Sequence, residues 1–283
     1  MRINEAGHEF GTREQLLADL AVWEQCDLGR WMLLNGGWDA TWTRYCITYD
    51  RSAADPDTNE VEHFFLTQAP AIAATRQRAG IFRSLLSEMV SPGTTAMSVP
   101  CGLMDDLLTL PQTGDLLVGV DLDPAAVAGA TANAADQWIS AHCVFAVGDA
   151  WNLADAQVAS GSAHAYRTAV AGGVDVLASN GLNIYVPSDA RVVELYRSFR
   201  RALRIDGTLI VSALTPPGQW AASDLPRDVS MRARGLMLIN DVMWSNYRPV
   251  EVTIAQLHAA GLQVRDVLFD DRRIFPTFVA TAV

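Results

Sequence analysis

Short apolar segments alternate with longer segments of helical periodicity from about residue 91 to the end of this 283-residue chain. The apolar segments, which predict strands, are residues 96–99, 116–121, 143–147, 174–179, 208–213, 263–270 and 276–282. The helical segments between them are residues 105–110, 124–139, 162–171, 190–203 and 253–260. This alternation is typical of a doubly wound α/β fold with a mostly parallel sheet, because each helix returns the chain to the start of the next strand.

The end of the chain departs from this alternation. Only residues 271–275 separate the last two predicted strands, which is too few for a crossover helix. These two strands are therefore expected to pair antiparallel. The predicted sheet is mostly parallel, with one antiparallel strand near the C-terminus.

Residues 1–90 have a different pattern, which predicts an N-terminal helical cap or lid. One helical pattern covers residues 13–26, and a second covers residues 70–90 and ends at a Ser-Pro-Gly sequence. The two predicted domains are therefore this helical cap and a Rossmann-like domain over residues 91–283.

The composition limits the class of partner and the compartment. A formal net charge of −11 argues against a nucleic-acid partner, because such binding needs many Lys and Arg side chains. No segment approaches the roughly 20 apolar residues of a membrane span, and the N-terminus has no apolar signal core. The four cysteines and five histidines show no metal-ligand spacing. We therefore expect a cytoplasmic protein with no metal, no nucleic-acid partner and no membrane partner.

The second predicted strand ends in an acidic residue, Asp121, within the sequence VGVDLDP. This residue follows Gly102, in the turn after the first strand, by about 20 residues. Ligands of doubly wound sheets bind at the carboxyl ends of the strands, and an acid at this spacing can accept hydrogen bonds from the hydroxyls of a ribose. The pattern therefore predicts a nucleoside ligand.

The turn after the first strand, Pro100 to Leu103, indicates which nucleoside. A pyrophosphate requires several glycines for close approach of the backbone, whereas this turn has only Gly102 and is followed by Asp105 and Asp106. The two carboxylates would repel a phosphate but would attract the positive charges of S-adenosylmethionine. Alternatively, each aspartate simply favours the start of a helix.

From about residue 91 onward the sequence resembles the class I S-adenosylmethionine-dependent methyltransferases. Six segments carry this resemblance, in the order and spacing of that family. They are SVPCGLMDDLL, VGVDLDP, VGDAWNL, VDVLASNGLNIYVP, LRIDGTLIVSAL, and LHAAGLQV followed by FPTFVATAV. The resemblance implies S-adenosylmethionine as cofactor, S-adenosylhomocysteine as its product, and methyl transfer as the activity.

The resemblance also implies roles for residues that follow the strands. Asp121 would bind the ribose hydroxyls, and Leu122 would pack on the adenine. Asp149 would accept a hydrogen bond from the adenine amino group, and Ala150 would donate its backbone N–H to the ring. The methionyl part would lie against Pro100, Cys101, Gly102 and Leu103 and beside Asn180 and Gly181.

The first motif departs from the family at two positions. The family often has an acid near Ser98 and a glycine at Pro100, and proline has no N–H to donate. The cofactor ammonium would then be bound by Asp105 or Asp106 instead.

Three residues outside these motifs are further candidates for cofactor binding. Arg76 and Arg78, on the second predicted helix, could bind the cofactor carboxylate, because a guanidinium binds a carboxylate through two hydrogen bonds. The alternative is that both lie on a solvated helix face. Tyr49, in ITYDRS, resembles a tyrosine of many relatives and would close over the cofactor, with plain aromatic packing as the alternative.

The acceptor-binding residues are less well defined. Residues 215–249 occupy a position that commonly carries a substrate lid in this fold, and Trp244 and Tyr247 belong to this segment. An aromatic lid predicts an enclosed pocket and a small, partly apolar acceptor. The weak candidates for a general base are His63, Tyr185 and Tyr247, each with a surface or packing role as the alternative.

Two other functions remain compatible with the sequence. An NAD(P)-dependent oxidoreductase shares the sheet and the ribose acid, but the missing glycines and the two aspartates disfavour it. A catalytically inactive methyltransferase-like protein would bind the nucleoside without consuming it, and the degenerate first motif leaves that alternative open.

Overall fold

The computed structural model describes residues 10–50, 52, 58–221, 226–243 and 245–283. Trp244 therefore lies outside the described residues. The helices are α1 (Arg13–Trp23), α2 (Asp27–Asn35), α3 (Ala40–Thr48), α4 (Glu60–Gln68), α5 (Pro70–Met89), α6 (Asp105–Leu108), α7 (Pro124–Asp136), α8 (Ala163–Val170), α9 (Asp189–Ala202), α10 (Arg227–Ile239) and α11 (Val250–Ala259). The strands are β1 (Thr95–Ser98), β2 (Leu116–Asp121), β3 (Cys143–Val147), β4 (Gln157–Ser160), β5 (Val174–Ser179), β6 (Leu203–Ser212), β7 (Leu262–Leu268) and β8 (Thr277–Ala282).

The chain divides into two compact units. Unit 1 consists of Met1–Gln77 together with Ala221–Ser245. Unit 2 consists of Arg78–Trp220 together with Asn246–Val283. The boundaries differ from the predicted ranges, because part of the predicted lid segment clusters with the N-terminal helices.

Unit 1 is helical and is held together by contacts between residues far apart in sequence. The indole Nε1–H of Trp23 donates a hydrogen bond of 2.7 Å to Asn240 Oδ1, and both residues are buried. Arg232, on α10, forms an ion pair of 2.7 Å with Asp19, on α1. The core of unit 1 is aromatic and aliphatic, with Phe65 tilted against Trp23 at a ring distance of 5.1 Å.

Unit 2 is built on an eight-stranded sheet in the order β4-β3-β2-β1-β5-β6-β8-β7. The pairs β1–β2, β2–β3, β1–β5 and β5–β6 are parallel. Strand β8 runs antiparallel to both β6 and β7. The prediction of a mostly parallel, doubly wound sheet with an antiparallel strand near the C-terminus, preceded by N-terminal helices, is confirmed.

Strand β4 was not predicted. It pairs antiparallel with β3 at one edge of the sheet, and its residues alternate between exposed and half-buried. An edge strand of four residues with polar and small side chains has none of the continuous apolar character that identifies a buried strand. Its formation depends on pairing with β3.

The central strands of unit 2 bury both of their faces. In β1, Met97 belongs to one hydrophobic cluster and Ala96 to another, on the opposite side of the sheet. The same alternation places Val118 and Leu117 of β2 in different clusters. Successive side chains of a strand point to opposite faces, so helices pack on both sides and the ends of the strands are left to form a ligand site.

Among the helices in the described ranges, none is long and apolar enough to cross a bilayer.

Candidate cofactor site

The turn after β1 is held by hydrogen bonds from its own backbone to the end of β2. Cys101 N–H donates to Val120 O at 2.8 Å, and Gly102 N–H donates to Asp121 Oδ2 at 2.9 Å. Met104 N–H donates to Cys101 O at 2.7 Å, and Pro100 has no N–H. The backbone at Pro100, Cys101, Gly102 and Met104 therefore offers no free amide to a ligand.

Asp121 is the residue that joins the first two strand ends. Its Oδ2 accepts the Gly102 N–H, and its Oδ1 accepts the Asp123 N–H at 3.0 Å. Burial raises the pKa of Asp121, and the hydrogen bonds from Asp123 and Gly102 partly offset that effect. Each carboxylate oxygen has a second lone pair, so Asp121 can still accept hydrogen bonds from a ligand. Leu122, beside it, is 72% exposed.

Asp106 lies directly beside the position where the family often has an acid. The hydroxyl of buried Ser98 donates a hydrogen bond of 2.8 Å to Asp106 Oδ2, and Leu107 N–H donates to Asp106 Oδ1 at 3.0 Å. Burial raises the pKa of Asp106 to about 6, although the hydrogen bonds from Ser98 and Leu107 lower it. The structure thus brings a carboxylate to the end of β1 from α6 instead of from the strand itself.

Asp149 and Ala150 follow β3, and their loop is tied to the end of β2. Gly148 N–H donates to the backbone oxygen of Asp121 at 2.9 Å. The Asp149 side chain is exposed and accepts the Trp151 N–H at 3.0 Å, whereas Ala150 is buried. The two predicted nucleoside-binding acids, Asp121 and Asp149, therefore follow neighbouring parallel strands.

Asn180 and Gly181 follow β5, which neighbours β1 on the other side. Val99 N–H donates to Ala178 O at 2.9 Å, so the two strands remain paired up to the start of their loops. Asn180 Oδ1 accepts a hydrogen bond of 3.3 Å from the Ser212 hydroxyl. Gly181 has a φ of 89°, a conformation that a side chain would disfavour.

The two candidate arginines have different environments, and neither lies on a solvated face. Arg76, in unit 1, donates from Nε to Cys46 O at 2.8 Å and from Nη1 to Leu66 O at 2.6 Å. Arg78, in unit 2, is only 8% exposed, and its guanidinium lies 4.4 Å from the ring centroid of Phe275. Arg76 thus stabilises unit 1, and Arg78 is the better candidate for binding an anion.

The remaining candidates lie in loops or on the first unit. Tyr49 ends α3 in unit 1, where its ring is 5.9 Å from that of Tyr45. His63 is exposed on α4. Tyr185 and Tyr247 are 41% and 37% exposed, and burial raises the pKa of both phenols. A phenol with a raised pKa is a donor at neutral pH and not a base, so these two tyrosines are poor candidates for proton removal.

Arg248 is a residue that sequence reasoning missed. It is 4% exposed and donates from Nη1 to Asn183 O at 3.0 Å, from Nη2 to Val186 O at 2.6 Å, and from Nε to Asp189 Oδ1 at 2.8 Å. These bonds fix the loop that follows β5. Because its main partners are backbone carbonyls, no sequence motif identifies it.

A cavity of about 220 Å³ lies beyond the end of β6, in unit 2. Its lining residues are Thr215, Gln219, Val250, Glu251, Phe269 and Arg273. The cavity is at the same edge of the sheet as the loops described above, because β6 runs parallel to β5.

No family model and no curated protein matches the sequence. A crystal structure of a possible exported protein from Bordetella parapertussis is 35% identical to this chain, with a TM-score of 0.86. The match covers 99% of this chain and 92% of that one. The chain therefore belongs to the same family as the Bordetella protein.

More distant structures identify the fold. Magnesium protoporphyrin IX methyltransferase from Synechocystis, solved with bound S-adenosylhomocysteine, is 17% identical with a TM-score of 0.54, covering 87% of this chain and 100% of that one. Geranyl diphosphate C-methyltransferase from Streptomyces coelicolor, also solved with S-adenosylhomocysteine, is 14% identical with a TM-score of 0.53, covering 85% and 96% of the two chains. This chain has the fold of the class I methyltransferases.

Proposed function

We propose that this protein binds S-adenosylmethionine at the ends of β1, β2 and β3 and transfers its methyl group to a small-molecule acceptor. The observation that carries the proposal is the turn after β1. Its amides at Cys101, Gly102 and Met104 already have acceptors within the protein, and carboxylates surround it. Such a turn suits a ligand that is a nucleoside with positive charge.

The same observation argues against a dinucleotide. A pyrophosphate is bound by free backbone N–H groups at the start of a helix and by the helix dipole. Here the helix after the turn, α6, has four residues, two of them Asp105 and Asp106. A phosphate at this position would find few donors and two nearby negative charges, so an NAD(P)-dependent oxidoreductase is disfavoured.

The proposed roles follow the strand order. Asp121 would bind the ribose, with Leu122 and Ala150 against the adenine and Asp149 accepting from its amino group. The methionyl part would lie along Pro100, Cys101, Gly102 and Leu103, with its ammonium toward Asp106. Asn180 and Gly181 would lie beside the sulfonium, whereas a contact from Tyr49 stays a prediction from the family resemblance.

The chemistry asked of this chain is modest. When bound, S-adenosylmethionine supplies a methyl group already activated by a sulfonium. The protein needs to orient the acceptor for in-line attack and to exclude water. The loop after β5, fixed by Arg248, is suited to that positioning.

Calorimetric titration with S-adenosylhomocysteine, NAD and NADP in parallel tests the cofactor. We expect micromolar binding of S-adenosylhomocysteine alone. Binding of NAD or NADP instead would overturn the proposal. Consumption of S-adenosylmethionine with an acceptor then separates an enzyme from an inactive binding protein.

Because the pKa of Asp106 is raised, we predict that the binding of S-adenosylhomocysteine depends on pH. Its pKa of about 6 in the free protein means that it is mostly protonated at pH 5 and mostly ionised at pH 7. Only the ionised carboxylate attracts an ammonium, so the affinity for S-adenosylhomocysteine should rise about tenfold from pH 5 to pH 7. Asp106→Asn should flatten this profile, as measured by calorimetry across the range.

Asp121 contributes a change in the same direction, because its pKa is also raised. 5′-Methylthioadenosine separates the two residues, since it keeps the ribose and lacks the ammonium. Its affinity should depend less steeply on pH than that of S-adenosylhomocysteine. Equal slopes for the two ligands would show that Asp106 does not bind the ammonium.

A further inference from the structure

Arg78 is a buried cation whose hydrogen-bonding capacity is largely unused. Its side chain is more than nine-tenths buried, and Nε and Nη1 have no hydrogen-bond partner within the described part of the chain. Buried charges in proteins are normally paired, because an unpaired one loses its hydration without compensation. Burial lowers the pKa of Arg78 to about 10, so the guanidinium is still charged at neutral pH.

The same unit shows how a buried arginine is usually satisfied. Arg248, which is also buried, donates to three backbone carbonyls and to the Asp189 carboxylate. Arg78 has no such set of partners. The two buried arginines of unit 2 therefore differ, and the unused donors of Arg78 need a separate explanation.

Asp270 does not neutralise Arg78 by direct contact. Asp270 is buried and attracts the guanidinium electrostatically, but it forms no hydrogen bond with it. Its oxygens accept the N–H groups of Arg272, Ile274 and Phe275, at 3.0, 3.3 and 2.7 Å. Asp270 therefore stabilises the turn before β8 and leaves the donors of Arg78 available.

The surroundings hold the guanidinium in one place. One face stacks on Phe275, and Nη1 is 3.2 Å from the position that a Cβ atom at residue 181 would occupy. A side chain at Gly181 would press on the guanidinium. The arrangement keeps Arg78 fixed at the loop after β5.

The sheet order places Arg78 away from the proposed nucleoside. Its contacts, Gly181 and Phe275, follow β5 and precede β8, whereas Asp121 and Asp149 follow β2 and β3 on the other side of β1. A ligand that reaches both groups must extend across the end of β1 toward β6 and β8. In the proposed function the sulfonium lies beside Asn180 and Gly181, so both the methionyl part of the cofactor and the acceptor lie on this side of the nucleoside.

We propose that Arg78 binds a carboxylate of a ligand at the ends of β5 and β8. Two groups on this side can supply that carboxylate, an acid group on the methyl acceptor and the carboxylate of the cofactor. The identity of these two sources rests on the proposed function. The requirement for an anion does not, because it follows from the buried, unpaired guanidinium of Arg78.

The first arm of the test asks whether the cofactor supplies the carboxylate. Arg78→Met keeps the length and the contact with Phe275 but removes the charge. The variant is titrated with S-adenosylhomocysteine and with 5′-methylthioadenosine, which lacks the amino-acid part. A loss of at least tenfold for the first ligand, with no change for the second, assigns the carboxylate to the cofactor.

The second arm asks whether the acceptor supplies it. Benzoate, phenylacetate and 3-phenylpropionate are screened by ligand-observed NMR, with the corresponding alcohols as neutral controls, with and without S-adenosylhomocysteine. Binding of an acid but not its alcohol, lost in Arg78→Met while S-adenosylhomocysteine binds as before, assigns the carboxylate to the acceptor. Because this arm also runs without nucleoside, it decides the role of Arg78 even if the protein binds no S-adenosylhomocysteine.

Arg197 provides the matched control. Its guanidinium is exposed and donates to Ala259 O at 3.3 Å, and it lies about two turns along α9 from the loop after β5. Arg197→Met should leave both arms unchanged. The proposal is overturned if neither S-adenosylhomocysteine nor any of the acids binds more weakly to Arg78→Met than to the wild type.

Thermal unfolding guards against a variant that simply fails to fold. Removal of an uncompensated buried charge should leave the melting temperature of the unliganded protein unchanged or raise it by about 2–4 °C. A large fall would indicate a structural role and would count against an anion site. Arg78→Lys keeps the charge but loses the planar pair of N–H donors that can bind both oxygens of a carboxylate. This variant should also fold, and it should bind carboxylates with an affinity between those of the wild type and Arg78→Met.

Discussion

Asp121→Asn should lower the affinity for S-adenosylhomocysteine about 100-fold. The carboxylate is proposed to accept hydrogen bonds from both ribose hydroxyls, and each bond to a charged group is worth about 1.5–3 kcal/mol. Loss of the charge and of one acceptor therefore costs about 3 kcal/mol, which corresponds to about 100-fold in the dissociation constant. Calorimetry at pH 7.5 measures this change.

The substitution should not disturb the fold. Asparagine retains one oxygen that can accept the Gly102 N–H, so the turn after β1 keeps its contact with β2. The Asp123 N–H loses its acceptor, but it lies in an exposed loop where water can replace that acceptor. The melting temperature of the variant, measured without ligand, should stay close to that of the wild type. A loss of binding together with a large fall in melting temperature would not identify Asp121 as a ligand-binding residue.

Asp123→Asn is the matched control. Asp123 lies two residues further along the same loop, and its carboxylate caps α7 by accepting the Ala125 N–H at 2.9 Å. Asparagine is an equally good N-cap, so α7 should be unaffected. The affinity should stay within about threefold of the wild type. An equal loss in both variants would show that the general negative charge of the loop, and not Asp121, binds the ligand.

The central strands could be predicted from the sequence because their signal is local. Residues 116–121, 143–147 and 174–179 coincide with β2, β3 and β5, each a continuous apolar segment buried on both faces of the sheet. Helices α2 to α4 were not predicted. Each has only nine residues, and α3 is rich in tryptophan, tyrosine and threonine, which are weak helix formers. Their N-caps, Asp39 and Asn59, were the available signal.

The candidate site also has residues that could be predicted from the sequence and residues that could not. The positions of Asp121 and Asp106 follow from the strand pattern and from the chemistry of the turn. The difference between Arg76 and Arg78 could not be predicted. The two residues lie only two positions apart on α5, and what separates them is the segments that pack against each one. Arg78 meets Phe275, and Arg76 meets the carbonyls of Cys46 and Leu66.

Trp23→Ala should destabilise unit 1 by about 5 kcal/mol. The side chain is fully buried, and truncation of such a tryptophan costs about 3–5 kcal/mol through lost packing and the cavity that remains. It also leaves Asn240 Oδ1 buried without its donor, which costs about 1–3 kcal/mol more. Hydrogen exchange of the α1 and α10 amides, followed by mass spectrometry, measures the effect within unit 1.

Trp138→Ala is the control for this prediction. Trp138 is 94% exposed, so the same substitution should change the free energy of unfolding by less than about 0.5 kcal/mol. The contrast separates burial from the general effect of removing a large aromatic side chain.

Trp23→Phe separates the two parts of the expected loss. Phenylalanine keeps most of the volume and a ring against Phe65 but has no N–H for Asn240, so it should cost about 1–3 kcal/mol. The hydrogen bond joins residues 217 positions apart and ties the segment after α10 to the end of α1. If exchange in α10 were unchanged in Trp23→Ala, α10 would not be packed with the N-terminal helices. The division of the chain into these two units would then be wrong.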